Sequence, residues 1–418
     1  MNILLKAAKI LDASSTHHNT QQDIYIENGT IKAVGKNLSY PNATEISYDN
    51  LHVSQGWFDS SVSFGEPGFE ERETIANGLN VAARSGFSHI AYNTNTQPKP
   101  ESRADIAFLL EQASGSSVKL YPKACVTTSQ TDEKLAPLRE LHAAGTVSFS
   151  NHKAPIKNAN TLKLALQYAN DFDGIVESFA YNNEMANGGV MHEGAVSTAL
   201  GLKGIPSVAE SMQLQRDLDI LEYANGKLHI PTLSTEASVA LIKTAKKIKQ
   251  DVSCSVAIHN LFFTDEALQG FNANAKLLPP LRKKSDQKAL KKALLDGVID
   301  MVTSDHQPLN SELKTVELDQ AHFGSIGLEH SFGCLLSMFS IEQTIEILTR
   351  GKNRFGIVEH TIEVGATADI TLFTPSGSFE ITKASISSRS KNSLFVGHAL
   401  PGKVYGVIAQ GKSQVYNA

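Results

Sequence analysis

The chain has 418 residues, 41% hydrophobic and 19% charged, with a formal net charge of −5 and a pI near 6.3. That length and balance describe a globular protein with one large domain plus a smaller one, or two to three domains. The acidic charge argues against nucleic acid or an anionic membrane as partner, and no apolar stretch approaches the length that spans a bilayer. Cys125, Cys254 and Cys334 are odd in number and far apart. They point to neither a zinc knuckle nor a disulfide framework, but to the reduced thiols of a cytoplasmic protein. Lysines interrupt the first apolar run, M-N-I-L-L-K-A-A-K-I-L, so no secretory signal is expected there.

The first fifty residues read as β-structure. Apolar segments lie at 3–11 and 23–34, the second broken by Asn28-Gly29, a hairpin signal. From about residue 54 short apolar runs alternate with helical stretches. Strands are predicted at 53–58, 88–93, 118–126, 146–149, 174–179, 227–232, 252–258 and 298–304. A helix over 70–86 places Ile75, Leu79, Ala82 and Gly86 on one face. Another over 284–297 aligns Leu290, Ala293 and Leu294 and stops at Gly297. Eight such βα units predict a (β/α)8 TIM-like barrel over 54–359. Short strands return in A-D-I-T-L-F-T-P at 368–375 and G-K-V-Y-G-V-I-A-Q-G-K at 402–412. The 1–53 and 360–418 segments should therefore pair into one small β-domain, since their strands are too few to be stable apart.

The most specific stretch is W-F-D-S-S-V-S-F-G-E-P-G, from Trp57 to Gly68. It resembles the first barrel-strand motif of the dihydroorotases, cyclic-amide hydrolases of the amidohydrolase superfamily, which reads D-x-H-x-H-x-R-x-P-G. Further phrases of that family recur along nearly the whole chain: Asn95-Thr96-Gln97-Pro98, the Gly188–Gly194 loop, Pro279-Pro280-Leu281-Arg282, the Phe323–Glu329 turn, and G-A-x-A-D-I at 365–370. The resemblance implies zinc, an activated water and hydrolysis of a ring amide C–N bond in pyrimidine biosynthesis.

The functional positions depart from the family. Ser61 and Ser63 replace the metal-binding histidines of strand one, and Gly65 replaces the arginine that holds the substrate carboxylate. Asn151 replaces the aspartate after strand four, Phe179 the histidine after strand five, and Thr232 the histidine after strand six. Asp305 keeps the acid of strand eight and Asn95 one substrate-binding position, whereas Leu278 and Leu309 replace two others. Hydroxyls and amides are poor zinc ligands, and a site short of five ligands has lost its cooperativity. None of the 14 histidines forms His-x-His or His-Glu-x-x-His, which argues against displaced ligands. Without metal, Asp305 is expected to cap the end of its strand rather than act as a base. His306 is expected to be packed or hydrogen-bonded, His259 to be a hydrogen-bonded rim residue, and 151–153 to form a solvated loop. Ser61 and Ser63 lack a neighbouring base, and Asn95 is as readily a turn residue as a ligand-binding one.

The expected protein is thus a dihydroorotase-like pseudoenzyme with a structural or regulatory role and no cofactor. The resemblance implies aspartate carbamoyltransferase as its partner, and a homo-oligomeric state is also expected. The alternative is a diverged cyclic amidohydrolase that retains zinc. A third possibility is a regulatory barrel that keeps an open, polar pocket around Asn95, Asn151 and Asp305.

Overall fold

The computed structural model describes residues 1–131 and 133–416. All eight predicted parallel strands form, as Trp57–Val62, Phe87–Tyr92, Lys119–Ala124, Ser148–Ser150, Ile175–Glu177, Lys227–Ile230, Val252–Ala257 and Met301–Thr303. They pair in sequence order, and we number them barrel strands one to eight. A parallel bridge between Val62 and His306 joins the last to the first. Asp59, the first acid of the strand-one motif, supports that closure. Its fully buried carboxylate accepts from Ser304 N at 3.0 Å, from Thr303 Oγ1 at 2.5 Å and from Ser61 N at 3.0 Å.

The helices bury the faces their periodicity predicts, although the one expected over 70–86 is shorter and leaves Gly86 outside it. Thr74 caps the first, Ile75–Arg84, by accepting from Asn77 N, and Leu79 and Ala82 are buried on its inner face. At the turn that follows, Gly86 has φ +88, and a Cβ there would lie 2.5 Å from the Trp57 ring. Helix Lys284–Leu295 ends two residues before Gly297, whose φ is +72, with Asp296 at the C-cap.

The two chain ends share a sheet. Strand Ile370–Glu380 runs antiparallel to His52–Gln55, which pairs with Asn2–Ile10. The Gln21–Glu27 and Thr30–Gly35 hairpin extends one side, and Ala399–Ala409 with Lys412–Val415 the other. Asn28 and Gly29 take φ 51 and 79, the two positive values a tight hairpin turn needs. Ile3, Leu5, Ile24 and Val53 from one end bury against Ile370, Leu372 and Ile408 from the other. The stretch 382–398 leaves this sheet and folds across the barrel. There Ser387 N and Ser388 N donate to Glu329, and Asn392 accepts from Leu309 N. All three cysteines are buried and unpaired, and no described helix is long and apolar enough to cross a membrane.

Candidate functional site at the barrel mouth

The C-terminal ends of the barrel strands bring the singled-out residues together. Ser61, Phe179, Thr232 and Asp305 line one small space with Asn93, Lys123, Ser150, His152, Lys153, Glu177 and Pro231. Its volume is about 10 Å³, room for roughly one water.

Strand one contributes a hydroxyl–amide network. Asn93 Nδ2 donates to Ser61 Oγ at 3.1 Å and to Ser63 Oγ at 3.0 Å, and Ser63 Oγ donates to Asn95 Oδ1 at 2.9 Å. Asn95 therefore has a structural partner. Gly65 has φ +144, and a Cβ there would lie 2.4 Å from Phe69 O. The arginine of the family motif has no room on this backbone.

Strand four ends differently from expectation. Asn151 is buried and faces the neighbouring strand end. Its Oδ1 accepts from Val126 N at 3.0 Å and Thr127 N at 3.3 Å, while Nδ2 donates to Thr127 Oγ1 at 2.8 Å. The chain then turns at His152, φ 52, with Ala154 N donating back to Asn151 O. This turn aims Lys153 over the mouth, where its Nζ lies 2.8 Å from Asp305 Oδ2 and 3.3 Å from Gln307 Oε1. The solvated loop expected at 151–153 is thus a tight turn closing the site. Asp305 pairs with an ammonium and does not cap backbone amides with its carboxylate. Burial raises the Asp305 pKa, and Lys153 opposes that rise. Burial, with Lys153 and Lys123 adding repulsion, holds His152 well below the ordinary histidine range.

A second ion pair lies deeper. Lys123 of strand three places Nζ 2.8 Å from Glu177 Oε2 of strand five, and Ser148 Oγ donates to Glu177 Oε1 at 2.6 Å. Both charged side chains are buried. Sequence reading missed this pair, although a lysine and a glutamate inside predicted barrel strands were a usable signal. The mouth therefore holds two cations and two carboxylates matched one to one.

The remaining positions are apolar or packed. Phe179 is buried with its ring 5.8 Å from that of Tyr181. Thr232 has φ 52 and donates its N–H to Ser255 Oγ at 3.1 Å. Leu309 is buried, and Leu278 packs beside Ala186 and Ile205. His306 is packed as expected, against the Phe64 ring, and accepts from Leu328 N. His259 is not the rim residue expected: it is fully buried against Phe395, and burial pushes its pKa down to about 3.

These residues do not make a zinc ligand set. The Asn151 side chain is committed to Val126 and Thr127, the Asp305 carboxylate carries an ammonium, and Phe179 offers no donor atom. No group of three or more His, Cys, Asp or Glu among the described residues is placed to hold a metal.

Residues 52–238 match the family described as Dihydro-orotase-like. The dihydroorotase of Pelotomaculum thermopropionicum is 35% identical over 99% of this chain and 98% of its own length. The chain belongs to the dihydroorotase family. The dihydroorotase of Acetivibrio thermocellus is 36% identical over 98% of each chain. Among solved structures, the L-hydantoinase (dihydropyrimidinase) of Arthrobacter aurescens superposes with a TM-score of 0.85 at 21% identity, over 100% of this chain and 97% of its own. The dihydropyrimidinase of Brevibacillus agri NCHU1002 gives 0.83 at 22%, over 100% and 95%. At that identity the likeness concerns the fold alone, the expected (β/α)8 barrel with a small β-domain.

Proposed function

We propose that this dihydroorotase-family chain is a non-catalytic member that serves pyrimidine biosynthesis as a structural or regulatory subunit. The observation that carries the reading is Lys153, whose ammonium rests on Asp305, the one acid kept from the ligand set. A tethered monocation there does not replace a divalent metal, because it has no open coordination position for a water or a carbonyl. The free space, about 10 Å³, is too small for a six-membered ring. The Ser61, Ser63, Asn93 and Asn95 network supplies hydrogen bonds, and the one carboxylate that Ser61 touches, that of Asp305, is already engaged by the Lys153 ammonium.

The partner proposed is aspartate carbamoyltransferase, on the family resemblance. The experiment is to purify the full chain and assay dihydroorotate hydrolysis with zinc supplied. The chain is then mixed with the transferase and the mass of the mixture measured by light scattering. We expect no hydrolysis and a stable joint assembly. Zinc-dependent hydrolysis would overturn the non-catalytic reading, and two unassociated proteins would overturn the partner.

A further inference from the structure

A cleft of about 630 Å³ lies outside the barrel mouth. It opens between the 271–274 loop, the 309–316 segment after strand eight and the 383–392 part of the crossing segment. Lys314, Lys383, Arg389 and Lys391 line it, against a single carboxylate, that of Glu71. Three of the four side chains donate to backbone carbonyls. Lys314 Nζ donates to His322 O at 2.8 Å, Arg389 to Glu70 O at 3.1 Å, and Lys391 to Ile386 O and Ser388 O. Among the described residues no carboxylate lies within ion-pair distance of any of the four.

This is unusual for Lys314, because it is buried and a buried cation ordinarily has an anionic partner. Behind it Lys276 is also buried and is likewise held by carbonyls, Leu318 O at 2.8 Å and Asp319 O at 3.0 Å. The neighbouring cations act on one another. Burial, followed by repulsion from Lys276 and Lys153, pushes the Lys314 pKa down to about 7. Burial and the charges of Arg72, Lys276 and Lys314 lower that of His322.

Two further groups give the cleft a shape beyond charge. Phe271 stands on its rim with 55% of its surface exposed, an aromatic face free to stack. Asn310 also lines it, with its Oδ1 buried and without a hydrogen-bond partner.

We infer that this cleft is a binding site for a nucleotide. The phosphates would lie among Lys314, Lys383 and Arg389, and the base against Phe271. Charge-assisted hydrogen bonds supply the phosphate affinity, and stacking of a base on an aromatic ring adds to it. The reading does not depend on whether the barrel mouth is catalytic.

The test is calorimetric titration of the full chain with ADP and, separately, with pyrophosphate, at low salt. Both should bind, ADP about tenfold or more tighter because of its ring. Phe271→Ala should bring ADP to the level of pyrophosphate and leave pyrophosphate unchanged. Lys383→Glu with Arg389→Glu should weaken both probes by about tenfold or more. Among the described residues Lys383 has no hydrogen-bond partner, so Lys383→Gln alone should fold as the wild type does and weaken both in the same direction. Three results would overturn the site: neither probe binds, pyrophosphate binds as tightly as ADP, or the charge variants bind like the wild type.

Discussion

Replacing Lys153 by methionine keeps most of the side-chain volume and removes the charge. Asp305 is then left buried without its counterion; the two side chains are 13% and 8% exposed. At their separation of 2.8 Å and an effective dielectric near 20, the attraction is about 6 kcal/mol. Relief of the lysine's own desolvation returns part of that. Protonation of Asp305 limits the remainder. Taking up a proton at pH 7 from an unfolded pKa near 3.9 costs about 4 kcal/mol, and at pH 5 about 1.5 kcal/mol. The expected loss is therefore about 3 kcal/mol at pH 7 and about half that at pH 5. The sign follows from linkage. In the variant Asp305 has a folded pKa raised further above its unfolded value. Its protonated form stabilises the fold fully below the unfolded pKa, and that stability is lost as pH rises through the folded one. Urea unfolding of both proteins at pH 5 and pH 7 reads the difference. Lys153→Met with Asp305→Asn removes both charges and should recover most of the loss. A loss below about 1 kcal/mol at pH 7, as for an exposed pair, would refute the reasoning, as would a double variant no more stable than the single one.

Three further outcomes are expected. Gly65→Ala should lower stability by about 2 kcal/mol or more in the same unfolding assay, because of φ +144 and the contact with Phe69 O; Gly65→Arg should be worse, so restoring the arginine alone yields no folded enzyme. Ser61→His with Ser63→His should give no zinc-dependent dihydroorotate hydrolysis, since Asn151, Phe179 and Thr232 still lack ligand atoms and Lys153 still holds Asp305. Deleting 370–418 should open the N-terminal segment to protease, because His52–Gln55 loses its pairing with Ile370–Phe373; a truncated chain as resistant as the full one would contradict this.

The barrel was legible because parallel strands covered on both faces read as short apolar runs between amphipathic helices, and Asn28-Gly29 marks its hairpin by conformational need. The replaced ligands could be found because the motif frame around Asp59, Pro67 and Gly68 persists. What took their place could not. Lys153 and Asp305 are 152 residues apart, and Lys123 and Glu177 are 54 apart, so only barrel closure makes them partners. The same holds for the 382–398 stretch. Its polar, serine-rich sequence carries no period, and its place on the barrel is set by individual bonds such as those to Glu329 and Glu73.

On the proposed reading, the Lys153 ammonium stands on Asp305 where the family would hold a metal. The most direct test of that reading is elemental analysis of the full chain, incubated with zinc and passed through gel filtration. The wild type should retain far less than one zinc per chain, and Lys153→Met should gain none, because the other ligand positions remain unsuited. One or two equivalents of zinc retained by the wild type would contradict the account.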